Sequence, residues 1–111
     1  MKGNIINMTK TYHKLVRDRI PDIIKESGKE CSYVILEADG DYIEAIENKL
    51  IEEVNEYLKE PSLSELSDVL AVVYGIAQAR NWSLEDLENE RVSKENKNGS
   101  FDKKVFLLEV N

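Results

Sequence analysis

Two consecutive segments with helical patterning, residues 41–60 and 62–77, are separated only by Pro61. In the first segment apolar side chains recur every three or four residues, which predicts a helix with one buried face. Proline ends that helix because it cannot continue the hydrogen-bonded backbone. Since the connection is so short, we expect the two helices to pack antiparallel.

The second of these helices has an unusual composition. Ser62 and Glu65 match a capping box, in which each residue satisfies a free backbone N–H of the first turn. After Asp68 the segment is apolar nearly all round. A helix of this kind is buried on both faces, either at the centre of a domain or between subunits. The pattern therefore predicts an oligomer, a homodimer or a homotetramer.

Shorter elements surround this pair. We expect a short helix over residues 22–27, with Pro21 in its first turn. We also expect a further helix that Ser83 opens and Asn98-Gly99 closes. Residues 32–36 and 105–108 are rich in β-branched and large apolar side chains, which predicts two strands that pair with each other. The predicted fold class is therefore mainly α, a helical bundle with a short two-stranded β element.

Composition limits the classes of function. The 111 residues suit one domain, and the net charge of −7 argues against a protein that binds nucleic acid polymers non-specifically. No apolar run approaches the roughly 20 residues of a membrane helix, and no secretory segment is evident, so we expect no membrane contact and a cytoplasmic location. Residues 1–11 are expected to be a flexible N-terminal extension, followed by a domain over residues 12–111.

Acidic residues gather on the two long helices. At 100° per residue, Glu53 and Glu56 share one flank of the first helix, and Glu65 and Asp68 begin the apolar stripe of the second. Antiparallel packing would bring these four carboxylates together, and four like charges repel unless a cation lies between them. Oxygen ligands favour Mg²⁺ or Mn²⁺. A solvated acidic face is the alternative interpretation.

Three motifs, in order along the chain, resemble one known family. Residues 12–21 resemble the opening Y-x-K-L-V-R-D-[KR]-I-P, residues 52–68 the pattern E-E-x-x-E…E-x-x-D, and residues 91–101 the tail K-x-x-K-x-G-x-F. These are features of the all-α nucleoside triphosphate pyrophosphohydrolase superfamily, and of its MazG-like and phosphoribosyl-ATP pyrophosphohydrolase-like members. The resemblance covers residues 12–108 and implies the corresponding fold for the domain.

The resemblance also implies an activity and its catalytic residues. Such enzymes use Mg²⁺ to hydrolyse a nucleotide between its α- and β-phosphates, which gives a nucleoside monophosphate and pyrophosphate. By this resemblance Glu53, Glu56, Glu65 and Asp68 are the metal ligands. Glu52 completes the catalytic set, either as an auxiliary ligand or as the residue that orients the attacking water.

Basic residues are candidates for contact with the substrate phosphates. An anionic substrate needs local cations on a protein of net charge −7. The candidates are Lys14, Arg17, Arg91, Lys94 and Lys97. Two simpler interpretations stay open, since Lys94 and Lys97 also suit the C-terminus of a helix and Arg17 also suits a surface ion pair.

The leading interpretation is a house-cleaning pyrophosphohydrolase, an enzyme that removes unwanted nucleotides. Two alternatives to it stay open on the sequence. One is the phosphoribosyl-ATP pyrophosphohydrolase of histidine biosynthesis, which differs in substrate alone. The other is a non-catalytic helical interaction module whose acidic face binds a basic partner.

Overall fold

Four helices account for the regular structure of the chain in a computed structural model that describes residues 9–111. They are α1 (Ile20–Glu26), α2 (Asp39–Lys59), α3 (Leu63–Ala79) and α4 (Leu84–Asn98). The mainly α class is thereby confirmed. Of the predicted N-terminal extension, residues 1–8 lie outside the described residues.

The helix ends follow the predicted signals closely. The Ser62 hydroxyl accepts a hydrogen bond from the Glu65 backbone N–H at 3.0 Å, and Ser83 accepts one from Asp86 at 2.9 Å. These contacts satisfy free donors in the first turns of α3 and α4. The start of α2 differs from the prediction, since the helix begins at Asp39, two residues before the predicted position. The residue before it, Ala38, has no polar side-chain group that could cap the helix.

Helices α2 and α3 pack against each other most closely at a glycine. A Cβ atom added to Gly75 would lie 2.5 Å from the Cδ1 atom of Ile46, so the absence of a side chain lets the two helices approach here. Ile46 is itself buried. This contact fixes the antiparallel register of the pair, and two helical turns further along it places Glu53 of α2 opposite Asp68 of α3.

The two predicted strands are absent from the described residues. Residues 32–36 and 105–108 have no regular secondary structure, and no backbone hydrogen bonds join them. The prediction of a two-stranded element within one copy is therefore wrong for this range. A strand exists only when a second backbone segment completes its hydrogen-bond ladder, and composition does not supply that partner.

The apolar core is small for a chain of this length. Among residues 9–111 the buried apolar side chains are Ile46 and Ala77, and α3 leaves Leu66, Leu70 and Tyr74 between 41% and 49% exposed. The radius of gyration is 19.6 Å, where a compact chain of 111 residues has about 13 Å. None of the helices in this range has both the length and the apolar composition needed to cross a membrane.

Candidate metal centre

Three carboxylates from α2 and α3 meet where the two helices face each other. One oxygen each of Glu53, Glu65 and Asp68 lies within 4.8 Å of the other two. The antiparallel register explains the meeting, because Glu53 lies opposite Asp68, and Glu65 precedes Asp68 by almost one turn on α3. We call these three residues the carboxylate cluster.

The carboxylate cluster is partly withdrawn from solvent. Glu53 is only 7% exposed, and Glu65 and Asp68 are half-buried. The Oε2 atoms of Glu53 and Glu65 are both buried without a hydrogen-bond partner. A buried, unpaired carboxylate oxygen is destabilising, so two such atoms side by side suit a bound cation.

Lys49 partly balances the charge of this site from α2 itself. Its Nζ atom lies 3.2 Å from Glu53 Oε1, one turn away, and 3.2 Å from Glu52 Oε2. The ion pair with Glu53 is the one that the four-residue spacing predicts. Because the Lys49 side chain is itself only 14% exposed, the charge stays close to the carboxylates.

Two further cations come from the chain that precedes α1. Lys14 Nζ lies 2.8 Å from Glu52 Oε1, and an Arg17 guanidinium nitrogen lies 2.8 Å from Asp68 Oδ1. His13, just before Lys14, has a left-handed backbone with φ of 47°, a conformation that turns the chain where Lys14 reaches α2. The first resemblance motif therefore lies beside the second.

These surroundings move two carboxyl pKa values in opposite directions. Burial raises the pKa of Glu65 above its ordinary value, and the negative charges of Glu56, Asp68 and Glu53 raise it further. Burial also acts to raise the pKa of Glu52, but the hydrogen bonds from Lys14 and Lys49 outweigh it and leave this pKa lowered. The charge of Glu65 is thus poorly compensated, whereas Glu52 is held ionised.

Glu56, predicted as a ligand, is not part of the carboxylate cluster. Its side chain is exposed, although its charge is close enough to affect the pKa values of Glu65 and Lys14. Glu52, by contrast, is half-buried, because Lys14 covers it. The helical periodicity locates both residues on α2 but contains no information about the segment that crosses it.

The basic residues of α4 lie apart from the carboxylate cluster in one copy of the chain. Arg91 pairs within its own helix, with Glu88 at 2.6 Å and Glu95 at 2.7 Å. These two carboxylates raise the pKa of Arg91. Lys94 and Lys97 are exposed and form no ion pair within residues 9–111. Of the five predicted phosphate contacts, Lys14 and Arg17 alone touch the acidic side chains of α2 and α3.

A cleft of about 330 Å³ opens beside the carboxylate cluster. Arg17, Lys49, Glu53 and Asp68 provide its polar wall. Its apolar wall consists of Tyr42, Ile46, Val72 and neighbouring residues. The site thus combines a charged end with apolar surface.

The arrangement has the composition of a site for a divalent cation and an anionic ligand. Four carboxylates and three cations lie within it, and the exposed Glu56 at its edge brings the excess to two negative charges. The residues are Glu52, Glu53, Glu65, Asp68, Lys14, Arg17, Lys49 and, at the edge, Glu56. One divalent cation would balance that excess, and the two cations of the N-terminal segment could turn to phosphate oxygens. Comparisons of the chain with protein-family models, with curated proteins and with solved structures found no match.

Proposed function

We propose that this protein is a Mg²⁺-dependent nucleotide pyrophosphohydrolase that cleaves a nucleoside triphosphate, or a related nucleotide, to the monophosphate and pyrophosphate. The observation that carries this proposal is the carboxylate cluster with two buried, unpartnered oxygens, bordered by Lys14 and Arg17. The three ordered motifs of the superfamily point to the same residues.

Glu53, Glu65 and Asp68 would hold the metal ion. Their oxygen donors suit Mg²⁺ or Mn²⁺, and the three oxygens, within 4.8 Å of one another, lie near the spacing that one ion requires. Glu56 would join from the adjacent turn once a cation attracts its side chain. When bound, Mg²⁺ supplies neutralisation of phosphate charge and a lower pKa for a coordinated water.

The remaining residues act on the substrate and on the attacking water. Glu52 is held ionised by Lys14 and Lys49, so it can accept a hydrogen bond from a water and orient it. Lys14 and Arg17 would exchange their carboxylate partners for phosphate oxygens, since both are exposed enough to turn. The apolar wall of the adjacent cleft offers surface for the uncharged part of a nucleotide.

The proposal includes a homo-oligomer, a dimer or a tetramer. Its support is the large exposed apolar surface of α3 and the small core of a single copy. Arg91, Lys94 and Lys97 stay proposed phosphate contacts, and a neighbouring copy is one way for them to reach a site. A cytoplasmic location stays a prediction.

The test is pyrophosphate release from a panel of nucleotides, measured with Mg²⁺, together with metal-dependent thermal melting. We expect turnover of at least one nucleotide, and we expect Mg²⁺ or Mn²⁺ to raise the Tm in the absence of nucleotide. Glu53→Gln and Asp68→Asn should each lose turnover by at least about a hundredfold and lose the metal-dependent rise in Tm, while the metal-free Tm is retained.

Glu90→Gln is the matched control, because it removes one negative charge from an exposed position on α4. It should keep both turnover and the metal response. A folded protein that hydrolyses no nucleotide would contradict the enzyme, and an unchanged Tm with Mg²⁺ would instead favour the interaction module. A strong preference for phosphoribosyl-ATP would assign the histidine-biosynthetic reaction.

A further inference from the structure

Two extended segments leave large apolar side chains in water. In residues 32–36, Tyr33, Val34 and Ile35 are each at least 64% exposed, and residues 105–108 are between 74% and 86% exposed. Neither segment donates or accepts a ladder hydrogen bond among the described residues. Both segments have the β-branched and large apolar composition of buried strands. Their exposure to solvent is therefore unusual for their composition.

The solvent-accessible surface of the chain is much larger than that of a compact monomer of the same mass. The chain exposes 10474 Å², and a folded monomer of 12.8 kDa exposes about 6,300 Å². The excess is about 4,200 Å², whereas an ordinary protein complex buries about 800 Å² per partner. An excess of this size is more than one ordinary contact would cover, so it leaves room for a second copy to cover both segments.

The segments are separated within one copy. Among the four helices of residues 9–111, the pairs in contact are α2 with α3 and α3 with α4, so α3 is the only helix that α4 contacts. Its 15 residues span about 22 Å, and residues 105–108 follow it. The longest dimension of the chain is 70 Å, more than twice either of the other two. Such an elongated shape fits a molecule in which a segment projects from the α2–α3 pair.

The charges beside the two segments fit antiparallel pairing. If the segments run antiparallel with Val34 opposite Leu107, then Glu37 lies opposite Lys104 and Glu109 lies opposite Ser32. Antiparallel pairing therefore gains an opposite-charge pair, and its ladder is slightly more stable per residue than a parallel one.

We propose that two copies of this chain exchange their C-terminal segments, so that residues 104–110 of each copy pair antiparallel with residues 31–37 of the other. The partner is a second copy because each chain carries both strand segments. A twofold axis between two copies then pairs both sets of segments at once. This inference builds on the proposed oligomer and is independent of the pyrophosphohydrolase activity.

The single cysteine provides a direct probe of this register. In the antiparallel pairing Cys31 lies opposite Val110, and opposite residues of two strands are close enough for a disulfide. The full-length Val110→Cys variant, oxidised gently, should run as a covalent dimer on a non-reducing gel. Phe101→Cys, at a position 97% exposed but outside the register, should not. Val110→Cys combined with Cys31→Ser should lose the cross-link.

Light scattering of the unmodified chain separates this inference from the oligomer on which it builds. A dimeric or tetrameric mass with the selective cross-link supports the exchange. A monomer at micromolar concentration overturns both the oligomer and the exchange. An oligomer without the selective cross-link, or a disulfide formed inside one chain, overturns the exchange alone. Circular dichroism confirms that each variant retains its helices.

Discussion

At the scale of single residues, the carboxylate cluster is held by cations that a substrate would have to move. Arg17 pairs with Asp68 at 2.8 Å, and Lys14 pairs with Glu52 at 2.8 Å. Both basic side chains are exposed for more than a third of their surface, so these ion pairs are weak and can rearrange. The same two side chains can therefore neutralise carboxylates in the free protein and, in the proposed substrate complex, phosphates.

Arg17→Gln should separate these two roles. Since the variant frees Asp68, its affinity for Mg²⁺ alone should rise, by up to about fivefold for an ion pair worth at most about 1 kcal/mol. Its KM for the nucleotide should rise by about tenfold or more, because a charged hydrogen bond to phosphate is lost. Calorimetric titration with Mg²⁺ and steady-state release of pyrophosphate measure the two effects.

Arg19→Gln is the control for Arg17→Gln, because Arg19 is an exposed arginine of the same segment, immediately before α1, and forms no ion pair among the described residues. It should change neither quantity. If Arg17→Gln weakens binding of Mg²⁺ without nucleotide, Arg17 supports the shape of the carboxylate cluster and does not compete with the metal.

At the scale of secondary-structure elements, local signals predicted the helices well. Apolar periodicity located α2 and α3, and the serines at positions 62 and 83 marked two helix starts. Glycine at position 99, with φ of 89°, marked the end of α4. Each of these signals acts within a few residues of the chain, which is why one sequence suffices to detect it.

Features that depend on distant parts of the chain were predicted less well. The pairing of residues 32–36 with 105–108 was wrong for a single copy, because strand composition does not specify where the partner lies. Helical spacing brought Glu53, Glu65 and Asp68 together correctly, since α2 and α3 are adjacent. It could not foresee that Lys14 would cover Glu52 and leave Glu56 exposed, because that contact spans 38 residues.

Substitutions at Gly75 test the contact that sets the register of α2 and α3. Gly75→Leu should lower the free energy of unfolding by about 1–3 kcal/mol through overpacking against Ile46. It should also weaken the metal-dependent rise in Tm, because it separates Glu53 from Asp68. Thermal and denaturant unfolding, each with and without Mg²⁺, measure both effects.

Gly75→Ala is the matched control. The atom that its Cβ would meet is the terminal methyl of Ile46, which can rotate away, and alanine favours the helix by about 1 kcal/mol over glycine. Stability and metal response should therefore change little. If leucine is tolerated as well as alanine, the close approach at Gly75 does not set the position of the carboxylates.

At the scale of the whole molecule, one copy has the helices of a folded domain but buries little of their apolar surface. The two fully buried apolar side chains among residues 9–111 are few against the conformational entropy lost by 60 helical residues, the summed lengths of the four helices. If the proposed second copy covers the exposed apolar surface, folding and association should be one transition.

Thermal unfolding should accordingly depend on protein concentration. For a dimer that dissociates as it unfolds, a hundredfold increase in concentration stabilises the native state by about 2.7 kcal/mol. Two chains of 111 residues have an unfolding entropy of about 0.47 kcal/mol/K, so the Tm should rise by about 6 °C. Differential scanning calorimetry over that concentration range, without metal or nucleotide, measures the shift. A Tm that stays constant, with reversible unfolding, would mean that each copy is stable alone and that its exposed apolar segments are tolerated in water.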